Sequence, residues 1–379
     1  MTAPRFLQIH TLTSYAAALL NRDDSGLAKR LPYGDALRTR ISSQCLKRHW
    51  RLAEDPHALA RIDGAEAAFR SRELVTLKVI KPLRDAGIDG AVVDALEPEF
   101  QMALYGDKGV TKKSRQTLIF GETELRWLAA EAARLADEAG GDAKAAKTLA
   151  EAWRKGLNKS LKAMTAAASL PGGLTSALFG RMVTSDPEAN ITAPVHVAHA
   201  FTVHAEEAES DYFTAVDDLS GDEPGADTIQ ETELTSGLFY GYVVVDIPGL
   251  IDNLGGDADL AGRVLHNLVY LIAEVSPGAK LGSTAPYGRA GMVLLEAGDR
   301  QPRSLAEAFR TPCPPHLGPA AQALTTQLEV FDRCYETGEE RHVLSLANGA
   351  VPNAEPASLR QLAEWAGSLP SRVVEGRAA

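Results

Sequence analysis

The sequence predicts an α+β chain in which one split βαβ core is interrupted by a helical insertion and by an acidic one. Three observations predict it. Period-two apolar alternation occurs near the N-terminus, again around residue 200, and again between 238 and 296. An Ala-rich, helix-periodic stretch over residues 55–180 separates the first two of these regions. An acidic stretch containing Gly and Pro separates the second from the third.

Size and composition agree. A chain of 379 residues exceeds what one compact core usually spans, so more than one lobe is expected. Apolar residues at 45% and charged residues at 23% are the mix of a soluble folded protein. No uninterrupted apolar run approaches the roughly 20 residues of a membrane span, and the opening MTAPRFLQIHTL lacks the apolar core of a signal peptide. Cys45, Cys313 and Cys334 are scattered without a CxxC pair. That excludes a disulfide framework and a cysteine-type zinc site, and it leads to the expectation of a reducing cytoplasm.

In chain order, Arg5–Thr13 alternates Phe6, Gln8 and His10 with Leu7, Ile9 and Thr11, the period of a strand. Asn21–Ala36, with Gly26, Pro32 and Gly34, reads as a polar loop. Ser42–Ser43 offers an N-cap to the helix QCLKRHWRLAE, on which Leu46, Trp50 and Ala53 share one face. Gln44, Lys47, Arg48 and Arg51 fall on a neighbouring face and project together. The clearest helices of the insertion are ETELRWLAAEAARLADEAG and AKAAKTLAEAWRKGLNKSLKAMTAAASL. Strands resume over Pro194–His204, and Ala205–Ser236 is the acidic insertion. Leu238–Asp246 is rich in aromatic and β-branched residues and reads as a strand. Asp257–Val275 is an amphipathic helix carrying Leu260, Val264, Leu268, Leu271 and Ile272. The glycine-rich loop SPGAKLGSTAPYG precedes a strand over Gly291–Glu296, and Ser304–Ala366 reads as short helices separated by prolines. Without its insertions the order is strand, helix, strand, strand, helix, strand, the ferredoxin-like or RNA-recognition type. The open face of such a sheet is a common platform for single-stranded RNA.

Charge is unevenly placed. Residues 1–51 hold nine Lys/Arg against three acids, a balance of +6 that leaves −17 for the rest of the chain. From Met182 to Gly262 there are seventeen acids and no Lys or Arg. A solvated acidic surface accounts for this, and so does a molecule with one basic face for a polyanion and one acidic face for a copy of itself.

Four constellations bear on chemistry. The first, Arg38–Arg48, joins two arginines, a doubled hydroxyl cap and cations on the opening helical turns. Helix N-termini expose unpaired N–H groups that suit a phosphate, and Arg and Lys add charge-assisted donors. His196, His199 and His204 invite a metal, but on a strand His196 and His199 point to opposite faces, so ordinary hydrogen-bonded histidines are expected. In Gly278–Thr284 the lysine precedes the second glycine, unlike a Walker loop, so nucleotide hydrolysis is not expected, though a contact to nucleic-acid backbone is. Asp23–Asp24 and Asp217–Asp218 are adjacent acids able to hold a divalent ion. Such loop pairs are usually just solvated.

LNRDD at 20–24, RTRISSQCLKR at 38–48, GRMVTS at 180–185, AHAFTVH at 198–204, DYFTAVDDL at 211–219 and PGAK at 277–280 fall in order along most of the chain. Together they resemble the CasC family, the repeated backbone subunit of the type I-E CRISPR surveillance complex Cascade, within the RAMP superfamily. The helical lobe at 55–178 and the tail beyond about residue 300 match only in character.

The resemblance implies a hand. Its palm comprises residues 1–54, 181–204 and 238–300; helical fingers span 55–180, an acidic thumb 205–237, and a C-terminal helical segment packing on the palm 301–379. Copies would polymerise head-to-tail along the spacer of a CRISPR RNA, beside other Cascade subunits, and present it to a target DNA strand. The resemblance places Arg22, Arg40, Ser43, Gln44, Lys47, Arg48 and Arg51 near the RNA backbone. It places Met182 at the wedge beside a displaced base, with Arg181 also among the RNA-binding residues, Tyr212, Phe213 and Thr214 at the thumb tip, and Lys280 at a basic position in the glycine-rich loop. Tyr212 stands where the family carries tryptophan, which implies weaker stacking. The expected protein is a non-catalytic scaffold with no cofactor and no metal. Base pairing reads the sequence while the protein holds phosphates. Its rivals are a metal-dependent RNA-cleaving RAMP backbone subunit using Asp23 or Asp24, and a single-copy RNA-processing enzyme, whose catalytic His is not identifiable. In head-to-tail assembly the acids around Glu206, Glu207 and Glu209 are expected to meet Lys112, Lys113 and Arg115 of a neighbour.

Overall fold

The computed structural model describes residues 3–156, 172–183, 190–216 and 226–378. Its strands are β1 (Phe6–Ala18), β2 (Arg30–Tyr33), β3 (Ala36–Ile41), β4 (Ala68–Ser71), β5 (Leu118–Gly121) and β6 (Val195–Val197). They continue with β7 (Ala200–Thr202), β8 (Ala208–Val216), β9 (Ala226–Asp246), β10 (Ala290–Gly298), β11 (Glu340–Ser345) and β12 (Ala354–Pro356). Two compact units result. One comprises Met1–Leu59, His196–Ile247 and Gly262–Ala379, the other Ala60–Val195 and Pro248–Ala261.

The first unit carries the large sheet, ordered β12-β11-β10-β1-β9-β7-β3-β2. Its centre, β10-β1-β9-β7, has the fourth, first, third and second strands of a split βαβ unit side by side, as the element order predicts. Ile9 of β1 lies opposite Val243 of β9 and Leu295 of β10. Helix α1 (Ser43–Arg51) and the helix Ala258–Glu274 supply the two crossovers. On one face, Ile9, Thr11, Ile41, Phe239 and Val243 meet Leu46 and Trp50 of α1 and Ile272 of the second helix around a cavity of about 40 Å³.

The opposite face corrects an expectation. Leu12, Leu238, Tyr240, Met292 and Leu294 are covered by Leu305, Phe309 and the helix Leu317–Tyr335 through Ala320, Leu324 and Leu328. That face is core here and offers RNA no open platform. A polar network is sealed within it. His10 Nε2 lies 2.9 Å from Glu296, and His10 Nδ1 lies 2.9 Å from the Tyr240 hydroxyl. Arg303 and Arg341 both donate to Glu296, and Arg341 also binds Asp332. A carboxylate only accepts, so a neutral His10 donates from Nε2 and accepts from the Tyr240 hydroxyl. Burial alone would raise the Glu296 carboxyl, but hydrogen bonds from His10 and Arg303 hold it well below the usual range. Burial pushes His10 down, against the pull of Glu296.

Three further stretches differ from the sequence reading. Part of the loop Asn21–Ala36 is a hairpin, β2–β3, joined by Gly34–Asp35 with Gly34 at φ +59. Its Pro32 sits in an edge strand, where a missing N–H breaks no ladder. The tail contains β11 and β12, which extend the sheet beyond β10. β9 begins at Ala226 rather than Leu238, and β8 pairs with its first half from Ala208↔Thr235 onward, so the described part of the acidic insertion is a two-stranded ribbon.

The second unit is helical around Phe100, Leu128, Leu135 and Trp153, with Phe100 and Trp153 stacked at 4.2 Å. Glu124 is its buried hub. It accepts from the amides of Gly121 and Gly172 at 2.9 Å each and from Arg181 Nη1 at 2.7 and 2.8 Å. Arg115 is buried too, donating to the carbonyls of Gly109, Arg72 and Val110, and Lys112 pairs with Glu73 at 2.8 Å. Arg115 therefore has a structural role in its own chain and is withdrawn from the set expected to meet a neighbour's acids.

Candidate nucleic-acid interface

The basic rim of the first unit is built from the end of β3, the start of α1 and the segment 19–30. Ser42 caps α1 by accepting from the Cys45 amide at 3.3 Å. Its own amide donates to Asn21 Oδ1 at 2.8 Å, so the cap and the preceding loop are one piece. Lys29 and Arg40 are joined by backbone bonds to Asn21 and Lys29 respectively. No acid occupies the first turn of α1, and Arg48, His49 and Arg51 fall in its last. Arg40 donates to the Arg30 carbonyl at 3.1 Å and to His199 Nδ1 at 3.0 Å. Burial lowers the His199 pKa, and the nearby charges of Arg40, Lys29 and Lys47 lower it further. Cations from separate segments of the chain thus act on one imidazole. Burial also pushes the half-buried Lys47 ammonium down. Arg22, Gln44 and Arg48 are exposed, while Arg40, Lys47 and Arg51 are half-buried.

Two residues of the basic segment belong elsewhere. Arg38 is fully buried and donates to the carbonyls of Tyr33, Thr202, Phe309 and Arg310, tying β3 to β7 and to the covering segment. It is a structural clamp and not a phosphate contact. Ser43 is buried with its hydroxyl turned to Gln44 Oε1 at 3.3 Å, so of the doubled hydroxyl only Ser42 caps.

Asp23 and Asp24 line a recess with Lys29, Arg30 and Arg40. Asp23 Oδ1 accepts from the amides of Ser25 and Leu27 at 2.9 and 3.0 Å, shaping the loop. Asp217–Asp218 lie outside the described residues. Among the described residues, no three His, Cys, Asp or Glu side chains converge as a metal site. His204 donates from Nδ1 to the Ala205 carbonyl and accepts at Nε2 from the Leu238 amide, as an ordinary hydrogen-bonded histidine does.

The root of the ribbon is clamped to the rim. Arg30 pairs with both Glu206 and Glu233, and the Ala28 amide donates to Glu233 at 2.5 Å. Glu206, expected to meet a neighbouring copy, is thus engaged within its own chain. Lys280 Nζ donates to Thr232 at the same root. The loop around Lys280 differs from the sequence reading in forming one helical turn, Leu281–Thr284. Tyr212 is exposed on the ribbon. Phe213 and Thr214 lie opposite Gln230 and Ile229, and their side chains fall outside the described part of the structure.

In the second unit, Arg181 exchanges both backbone bonds with Ile191, at 3.0 and 2.9 Å, and the Val183 amide donates to Asn190 Oδ1. Met182, between two buried neighbours, is 68% exposed. Arg181 is itself buried against Glu124 and Phe120, so it holds the segment and is not on the surface. Composition could not have revealed this, because a buried Arg looks in sequence like any other Arg.

No curated protein matches the chain. A chain of a structure described as "CRISPR RNA-guided surveillance complex, pre-nicking" matches with TM-score 0.80 and 25% identity, over 96% of this chain and 100% of that one. A second, from a "CRISPR RNA-guided surveillance complex", matches with TM-score 0.59 and 21% identity over 96% and 98%, and shows the fold alone. No helix among the described residues is long and apolar enough to cross a membrane. The model of the CT1975-like protein family covers residues 7–368, and the chain belongs to that family.

Proposed function

We propose that the chain is a non-catalytic guide-RNA-binding scaffold of a CRISPR surveillance complex, of the type I-E CasC kind, acting in antiviral defence. The end-to-end likeness to a chain of an RNA-guided surveillance complex carries this reading. The cations gathered at the rim and the exposure of Met182 and Tyr212 support it. In this reading Arg22, Arg40, Lys47, Arg48 and Arg51 hold RNA phosphates, Met182 wedges beside a base, and Tyr212 reaches over the strand. Copies follow one another head-to-tail along the spacer, and the guide pairs with a target DNA strand by its exposed base edges. With its sheet face covered, the protein binds RNA at its rim. The nuclease reading is disfavoured because Asp23 is engaged by its own loop and shares its recess with three cations, which oppose a divalent ion.

Lys47→Ala with Arg51→Ala is the test. Binding of single-stranded RNA should weaken alike for unrelated sequences, and the log–log salt slope should fall by roughly 0.7 for each phosphate no longer held. An unchanged slope, or weakening confined to one sequence, rejects the reading. Metal-dependent cleavage of complementary RNA, abolished by Asp24→Asn, would replace it with the nuclease.

A further inference from the structure

Tyr287 is 79% exposed, the most exposed large apolar side chain among the described residues. It stands on a loop built to be rigid. Ser276 Oγ closes the neck, accepting from the Gly288 amide at 2.8 Å and donating to the Gly288 carbonyl at 2.9 Å. The Ala279 amide donates to the Leu19 carbonyl at 2.8 Å, and Thr284 Oγ1 donates to the Ala279 carbonyl at 3.1 Å. Lys280 and Ala285 hold φ of 53° and 38°, left-handed values that a residue with a Cβ adopts only under strain. A Cβ at Gly288 would meet Ser14 O at 2.7 Å and the Tyr15 ring at 3.0 Å, so only glycine fits where the loop returns to β1.

The loop adjoins the basic rim. Leu19, which it bonds, is followed by Leu20 and Asn21, and these accept from Cys45 and Ser42 at the start of α1. Residues 276–289 carry Lys280 and Arg289 and no acid, in a chain of net charge −11. Arg289 is exposed and forms an ion pair with Glu274 at 3.3 Å. We propose that Tyr287 stacks on an unpaired base of the bound single-stranded RNA, as a fixed aromatic shelf at the edge of the phosphate-binding rim. The inference rests on the RNA-binding reading above. A phenol ring can stack on the π-face of any base, so the contact is indifferent to sequence. The cations beside it favour a polyanion over an apolar protein partner.

The probe is a mixed-sequence oligoribonucleotide carrying a fluorescent adenine analogue, bound to the full chain. Tyr287→Ala should weaken binding about 5- to 150-fold, leave the salt slope unchanged, and remove the quenching that stacking produces. Tyr287→Phe should bind like the parent, and an unchanged melting temperature confirms that both variants fold. If Tyr287→Ala binds and quenches like the parent while the Lys47/Arg51 variant is weakened, this inference alone fails. Loss of self-association at unchanged RNA affinity also overturns it, in favour of a protein contact. A parent chain that binds no RNA sinks both readings.

Discussion

Replacing Arg181 with Met removes the cation from a buried pair whose geometry sets the cost. The two side chains are 1% and 0% exposed, and one guanidinium nitrogen reaches both carboxylate oxygens. Glu124 would keep the Gly121 and Gly172 amides as donors. Its charge, however, would stay buried without a counter-charge. Breaking a pair of this kind costs about 3–5 kcal/mol, which is about 2 M urea at a typical slope. The destabilisation belongs to the second unit. Amide hydrogen exchange read by mass spectrometry should show faster exchange in the helix Glu122–Glu138, with the β1–β9 ladder unchanged. Adding Glu124→Gln removes the stranded charge and should recover part of the stability. Because Arg181 also pairs through its backbone with Ile191 beside Met182, weaker RNA protection should accompany the destabilisation. A destabilisation under about 1 kcal/mol, or a double variant as damaged as the sum of the singles, would refute the reasoning.

Two further outcomes follow from the first unit. His10 is held below its ordinary pKa of 6.5 by burial and Glu296 below 4.5 by its hydrogen bonds, so the unfolded chain takes up protons first at both. Their stabilisation is complete above about pH 6.5, declines as pH falls below it through His10, and declines again below about 4.5 through Glu296; stability unchanged between pH 7 and 4 in urea titrations would contradict this. Gly34→Ala should lower stability by about 1–3 kcal/mol, because φ is left-handed and the new Cβ would strike the Arg310 carbonyl. A melting temperature equal to the parent's would show that the hairpin turn relaxes freely.

Legibility tracked the range of the physics. The Ser42 cap, α1 and the helix Ala258–Glu274 could be read because capping and apolar periodicity are local signals. The hairpin β2–β3 was hidden by Pro32, a residue that argues against a strand unless the strand is known to lie at an edge. β11 and β12 are short, and only pairing along β10 makes them strands. The basic segment was visible as a cluster, but its division into Arg38 inside and Arg40 at the rim was not. How far each side chain of that strand is buried depends on what distant segments cover it, and the covering segment at Phe309–Arg310 lies some way along the chain.

The sequence by itself determined the split βαβ order, the two insertions, the capped basic helix and the family resemblance, all carried by near neighbours in the chain. Tertiary structure alone decided that the helix Leu317–Tyr335 covers the far face of the sheet, that Arg38, Arg115 and Arg181 are internal, and that Arg30 binds the ribbon's root through Glu206 and Glu233. The physical reason is desolvation. Whether an arginine is a surface cation or an internal clamp depends on which carbonyls and carboxylates distant parts of the chain bring to it, and no local pattern encodes that.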